Sequence, residues 1–316
     1  MDIVDEHGLS VGLITPAELA ARPWLGSGRP IDVVRMPEPP AGSSHELAAA
    51  GFVRKPELLC WKAELGSDEA EFLARLENKS RQDIRRARAR AESALRLSVH
   101  DRLVPEILDP FLTLYQDRVA EMAYGIPIAV RQRERLLGGA EKYFAVFAHE
   151  GDELVGGCVV RECPDEDAVR IRFSAVTEQW RRHSLARTLY FAAMRTAREK
   201  GYRWATLGDE PNLYGHLTKA GLFSFKVNMG FRCVPSQDFN DIEGRDLADL
   251  VLSLTNLSGP CLMLGYAADP AEDRTLRAEL FTDDPAGTDP RKYTAPFLAG
   301  IEVRTPVRPD ARTVGR

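Results

Sequence analysis

Two arginines stand side by side at the head of RRHSLARTLYFAAMRTAREKG, the stretch from Arg181 to Gly201. The residues before it, DAVRIRFSAVTE, alternate apolar and polar as a strand does, and those after it recur at helical spacing until the glycine. A helix N-terminus offers unpaired N–H groups and about half a positive charge. Small side chains at Ser184 and Ala186 let a phosphate approach that backbone, while Arg181 and Arg182 add charge. The chemistry implied is anion binding. The plainer reading is an exposed helix start with solvated arginines.

Other constellations add to this one. In LTKAGLFSFKVNMGF, Lys226 follows Phe225 within an apolar run expected to be extended, where an ammonium beside an aromatic face would serve a developing anion. The competing reading is a snorkelling lysine with Phe225 in the core. Six of the twelve residues from Lys79 to Arg90 are basic, so Lys79, Arg85 and Arg86 could meet the phosphates of a tRNA end or a nucleotide-linked ligand. On a helix such a run is also an ordinary solvated face, with Asp83 and Glu92 placed for pairing at i,i+4. Acid–base candidates are Asp209, Glu210, Tyr214 and His216, with Asp209 first because it follows a strand end. DEPN before a helix is equally ordinary capping chemistry. No Ser-His-Asp, H-E-x-x-H or Walker spacing occurs.

These residues need elements to hold them. VGLI, IDVVRM and ELLCWKAEL read as strands, and a helix capped by Ser67 and then NKSRQDIRRARARAES as two helices. LRLSVH reads as a strand, and ILDPFLTLYQDRVAEM as a helix whose Pro110 marks the first turn. KYFAVFAHEGDELVGGCVVREC and DAVRIRFSAVTE form a three-stranded antiparallel meander, followed by the Arg181 turn and helix. A strand RWATLG, a helix around NLYGHLTKAG and a strand FRCVPS come next. GRDLADLVLSLTN reads as helical and PCLMLGY as a strand, and the Pro- and Arg-rich tail is expected to be disordered.

Composition narrows the classes. A net charge of −5 argues against a constitutive nucleic-acid coat but leaves a local basic face open. No apolar run approaches the ~18 residues of a membrane span, and the acidic start MDIVDEHG lacks signal-peptide character. Five scattered cysteines and six dispersed histidines form no C-x-x-C pair or ligand cluster, so neither a disulfide framework nor a metal is expected. A cytoplasmic chain with no membrane partner is the expectation.

The segment Tyr143–Pro235 resembles the GNAT acyltransferase superfamily, whose pyrophosphate loop follows R/Q-x-x-G-x-G/A. Here it reads Arg181-Arg182-His183-Ser184-Leu185-Ala186, with Ser184 in place of the first glycine, a serine being acceptable where φ stays negative. Gly221, Leu222, Phe225, Lys226, Met229 and Gly230 are similar to a segment of the Fem-type aminoacyl transferases and BioF2-like acetyltransferases, which are double-GNAT proteins. The basic helix is also similar to one in their first half.

The resemblance implies an α/β (α+β) fold of tandem GNAT-like mixed sheets: a degenerate half over 1–125, a donor-binding half over 126–236, and a C-terminal extension over 237–316 packed on the second half. It implies acyl transfer from acyl-CoA to a small-molecule amine by direct attack. The donor would lie on Arg181–Ala186 and on a backbone N–H of the preceding strand, represented by Val176. Lys226, Asp209 and Tyr214 would act at the reacting end, and Phe225, Lys79, Arg85 and Arg86 would bind substrate. An aminoacyl-tRNA donor, and a non-catalytic ligand-binding module, are the other readings.

Overall fold

A computed structural model describes residues 1–239, 244–257 and 259–307. The chain opens with a hairpin of β1 (Asp2–Glu6) and β2 (Leu9–Leu13), whose turn is made by His7 and Gly8, both at positive φ. There follow β3 (Val33–Pro37), α1 (Ser44–Ala49), β4 (Val53–Pro56) and β5 (Leu58–Glu64). Then come α2 (Glu69–Ala74), α3 (Asn78–Ala94), β6 (Arg96–His100) and α4 (Pro105–Ala120). Asp68 rather than Ser67 caps α2, accepting from the Glu71 N–H at 2.7 Å. In α4 the first-turn proline is Pro105, and Pro110 lies inside the helix.

The short helices α5 (Ile128–Arg131) and α6 (Arg133–Leu137) lead into the meander of β7 (Tyr143–Glu150), β8 (Glu153–Cys163) and β9 (Ala168–Val176). After it come α7 (Glu178–Arg182), α8 (Leu185–Glu199), β10 (Trp204–Pro211), α9 (Ala220–Asn228) and β11 (Arg232–Pro235). Strands β12 (Asp246–Val251), β13 (Cys261–Tyr266), β14 (Leu276–Phe281) and β15 (Ile301–Arg304) close the order.

Three sheets result: β1-β2-β3-β12-β4, β11-β5-β10-β9-β8-β7-β6 and β13-β14-β15. The expected mixed α+β architecture holds, with parallel pairs β2–β3, β9–β10 and β14–β15 among antiparallel ones. The chain divides into two compact units. One comprises Met1–Cys60, Asp209–Val227 and Cys233–Arg316, the other Trp61–Gly208 and Asn228–Arg232.

Residues expected to be helical, GRDLADLVLSLTN, instead supply β12, which hydrogen-bonds to β3 on one side and β4 on the other. A strand buried on both faces reads as a continuous apolar run, which periodicity cannot tell from a buried helix. The segment is therefore a central strand of the first unit's sheet, not an appendage on the 126–236 segment. Of its two acids, Asp246 opens the strand and Asp249 is fully buried between Arg35 (Nε 2.8 Å, Nη2 3.1 Å) and Lys55 (Nζ 3.1 Å). Lys55 also donates to the Asn212 carbonyl at 3.0 Å. The tail from 308 onward, expected to be disordered, lies outside the described residues.

In the second unit, α4, α5 and α6 cover one sheet face, where Phe111 stacks on Phe147 at 5.5 Å and Tyr115 meets Phe173 edge-on at 5.6 Å. Helix α8 takes the other, burying Leu185, Leu189, Ala193 and Ala197. Helix α3 lies along α8, burying Ser80, Ile84, Ala87 and Ala91 at helical spacing.

Candidate donor site and an acidic–basic cluster

The second unit's sheet opens beside the arginine turn. Strands β9 and β10 pair in parallel only over Ala168–Arg170 and Trp204–Thr206. Beyond that point they separate, and Gly208, at φ 77, supplies a bend in β10 that a side chain would resist. The β8–β9 register shifts by one residue so that Arg172 is bulged out of the ladder. Further along, the Thr177 N–H donates to Val155 at 2.9 Å, toward β8. Alternation then turns the N–H of Val176 to the opposite edge, the one β10 has left.

The turn itself is built by local bonds. Buried Trp180 anchors α7 by donating from Nε1 to Glu150 at 3.0 Å. The His183 N–H donates to Trp180 and the Ser184 N–H to Arg181, closing α7. Ser184 then adopts the left-handed conformation, φ 61 and ψ 30, and α8 starts at Leu185. The negative φ expected for this serine is corrected: it holds the geometry glycine adopts without cost, at about 1 kcal/mol for a residue with a Cβ. Leu185 and Ala186 open the first turn of α8, where a helix presents its N–H groups outward.

Both arginines are solvent-facing and near carboxylates. Arg181, 57% exposed, is 4.0 Å from Glu121; Arg182, 75% exposed, pairs with Glu178 one turn back on α7. Exposed pairs of this kind contribute at most about 1 kcal/mol, so they leave both guanidinium groups exchangeable toward a phosphate. His183 packs edge-on against Trp180 at 5.5 Å, with Nδ1 3.5 Å from Arg90 of α3. The α3 cations thus border the turn. Lys79, Arg85 and Arg86 are exposed; Arg86 lies 3.8 Å from Asp83, and Arg88 pairs with Glu69.

The remaining predicted residues belong to the first unit. Lys226 forms an ion pair with Glu210, and the Tyr214 hydroxyl donates to the other oxygen of the same carboxylate. The Lys226 and Glu210 side chains are only 11% and 16% exposed. Phe225 and Lys226 lie on helix α9, not on a strand. Tyr214 and His216 precede that helix rather than sitting on it; Tyr214 forms isolated bridges with Thr218 and Leu262. Asp209 accepts from the Ser236 hydroxyl at 2.7 Å. The carboxylate that gathers Lys226 and Tyr214 is therefore Glu210, the residue weighed behind Asp209.

Not every matching residue is chemical. Gly230 sits at φ 86, where a Cβ would come within 2.7 Å of Phe72, so backbone and packing both require glycine. Arg172 was missed. Its guanidinium donates to Gln132 at 3.0 Å and lies over Phe173, and burial lowers its pKa. Only the one-residue register shift marks it, and alternation alone carries no such signal.

Among the described residues no cluster of His, Cys, Asp and Glu could hold a metal, and no helix is long and apolar enough to cross a membrane. Residues 106–215, from α4 through β10, match the family model for the GNAT acetyltransferase family. Similar solved structures include FemX, at 13% identity over 75% of this chain and 80% of that one, TM-score 0.43. L-PGS from Bacillus licheniformis aligns at 14% over 78% and 79%, TM-score 0.42. A tandem GNAT protein from the clavulanic acid biosynthesis pathway aligns at 14% over 70% and 64%, TM-score 0.40. A comparison with the curated proteins gives no match.

Proposed function

We propose that the protein is a cytoplasmic N-acyltransferase that moves an acyl group from acyl-CoA to a small amine by direct attack. The observation that carries this reading is the parting of β9 from β10 beyond Arg170 and Thr206, next to the opening turn of α8. An extended thioester arm fits between strands that have stopped pairing, with main-chain groups such as the Val176 N–H left for it. Its pyrophosphate would lie on the Leu185 and Ala186 amides, and Arg181 and Arg182 would exchange their carboxylate partners for it.

In the transfer step the amine nitrogen attacks the thioester carbonyl. A C–N bond forms as the C–S bond breaks, CoA leaves as its thiolate, and the amine proton passes to a base. A β9 N–H would stabilise the developing oxyanion. We assign the polar chemistry of the first unit to Glu210 with Lys226 and Tyr214, Glu210 being the proton acceptor best supported by its partners, and Asp209 the one next to it. Phe225 is the neighbouring apolar contact.

Thiol release from acetyl-CoA across a panel of amines tests the reading. Turnover that falls ~10²-fold or more in Lys226→Ala, with folding intact, is expected. Donor bound but never consumed by any amine would instead identify a binding module. The exposed cations of α3 favour one second reading, an aminoacyl-tRNA donor held by Lys79, Arg85 and Arg86. Its mark is a log–log salt dependence with a slope of about −0.7 per phosphate contact, against a much shallower slope for CoA.

A further inference from the structure

A cavity of about 390 Å³ lies wholly within the first unit, between α1, the start of β4, and the β13-β14-β15 sheet. Its wall combines an apolar patch of Phe52, Val53 and the Tyr266 ring with three arginines, Arg54, Arg277 and Arg304. Its size is at the small end of ligand sites, which run from about 300 to 1,000 Å³.

Both acids in this wall have arginine neighbours. Glu279, 1% exposed, is met by Arg277 at 2.7 Å and by Arg304 at 2.7 Å. Asp269 accepts from the Ser44 hydroxyl at 2.8 Å and the Ala271 N–H at 3.0 Å, with Arg54 3.8 Å away. Arg277 and Arg304 share a second acid, Glu302, at 3.4 and 3.1 Å, whereas the carboxylates nearest Arg54, Asp269 and Asp246, stand 3.8 and 4.0 Å away. Arg54 gives its two terminal nitrogens to Pro39, Pro40 and Ser44, but its buried Nε–H has no acceptor among the described residues. The Arg304 Nε stands close to Glu279 yet off the hydrogen-bond direction, so neither atom makes a proper bond. Each guanidinium carries five N–H groups, and a buried donor left unmatched is costly. Arg54 is thus the guanidinium in this wall with a donor left to offer.

We propose that this cavity binds a small organic carboxylate, its acid group on the arginines and its compact apolar body against Phe52, Val53 and Tyr266. A cation would face three guanidinium groups against the two lining carboxylates Asp269 and Glu279, and a neutral amide supplies one acceptor oxygen where a carboxylate supplies two with charge. The site is independent of the donor turn, which belongs to the other unit.

Isothermal titration of the full chain with three isosteres, benzoate, benzamide and benzamidinium, tests the proposal. Benzoate is expected to bind at least tenfold more tightly than either of the others, and Arg54→Gln to weaken it at least tenfold. Ala48→Phe, an exposed position on the cavity wall, narrows the space and should abolish benzoate binding with the circular dichroism spectrum unchanged. This second variant keeps the test valid should Arg54→Gln fail to fold. No benzoate binding, preference for benzamidinium or benzamide, or benzoate binding indifferent to Ala48→Phe overturns the proposal.

Discussion

Ser184 is the residue on which the donor turn pivots. It occupies φ 61 between two helices, and the sequence could name the position but not its conformation. Ser184→Gly removes about 1 kcal/mol of left-handed strain while loosening the unfolded chain by about half of that or more. The expected outcome is a stability in urea unchanged or raised by up to about 0.5 kcal/mol; a clear loss would show the turn is not left-handed. Asp249 works differently. Burial pushes its carboxyl up, but Arg35 and Lys55 outweigh burial and bring it down to about 2. Its unfolded value is about 3.9, so this stabilisation is complete above that pH and is lost as pH falls through about 2. Asp249→Asn removes that part of the acid dependence and leaves Arg35 and Lys55 without their shared anion, at a cost of roughly 3–5 kcal/mol. Urea titrations of both proteins from pH 2 to 7 check the sign.

At the level of elements, the meander and the helix after it were legible because alternation and helical spacing were both clean in Tyr143–Glu199. Strand β12 was not, since past Asp246 it is apolar except for Asp249, which is neutralised from neighbouring strands. Helix α9 was displaced for another reason: Gly215, at φ 114, and the Tyr214 bridges hold NLYGHLT out of helical geometry, so the helix waits until Ala220. Strand β8 carries two adjacent glycines whose roles only packing reveals. A Cβ on Gly157 would meet the Phe147 ring at 2.4 Å, and one on Gly156 the Leu185 side chain at 2.9 Å. Gly157→Ala therefore destabilises by about 1–3 kcal/mol. Gly156→Ala presses on the first residue of α8, so it is expected to weaken CoA binding more than it lowers stability. Thermal melts and CoA titrations on the pair separate the two effects; equal loss of affinity in both variants would contradict the distinction.

For the whole molecule, the order of elements over Tyr143–Pro235 was legible, whereas the long-range strand pairing was not. Strand pairing joins residues 246–251 to residues 33–37 and 53–56, and no local pattern announces a partnership across two hundred residues. Likewise the sequence offered candidate groups but not their partners: Lys226 carries its own counter-ion in Glu210, and Arg181 and Arg182 stand beside Glu121 and Glu178. The central claim is that the α8 turn and the open β9 edge hold an acyl-CoA. Its most direct test is calorimetric titration of acetyl-CoA into the native chain and into an Arg181→Gln, Arg182→Gln double variant. The expected result is saturable one-site binding that weakens at least tenfold in the variant with its melting temperature unchanged. Absence of binding to the native chain, or identical affinity in the two proteins, would contradict it.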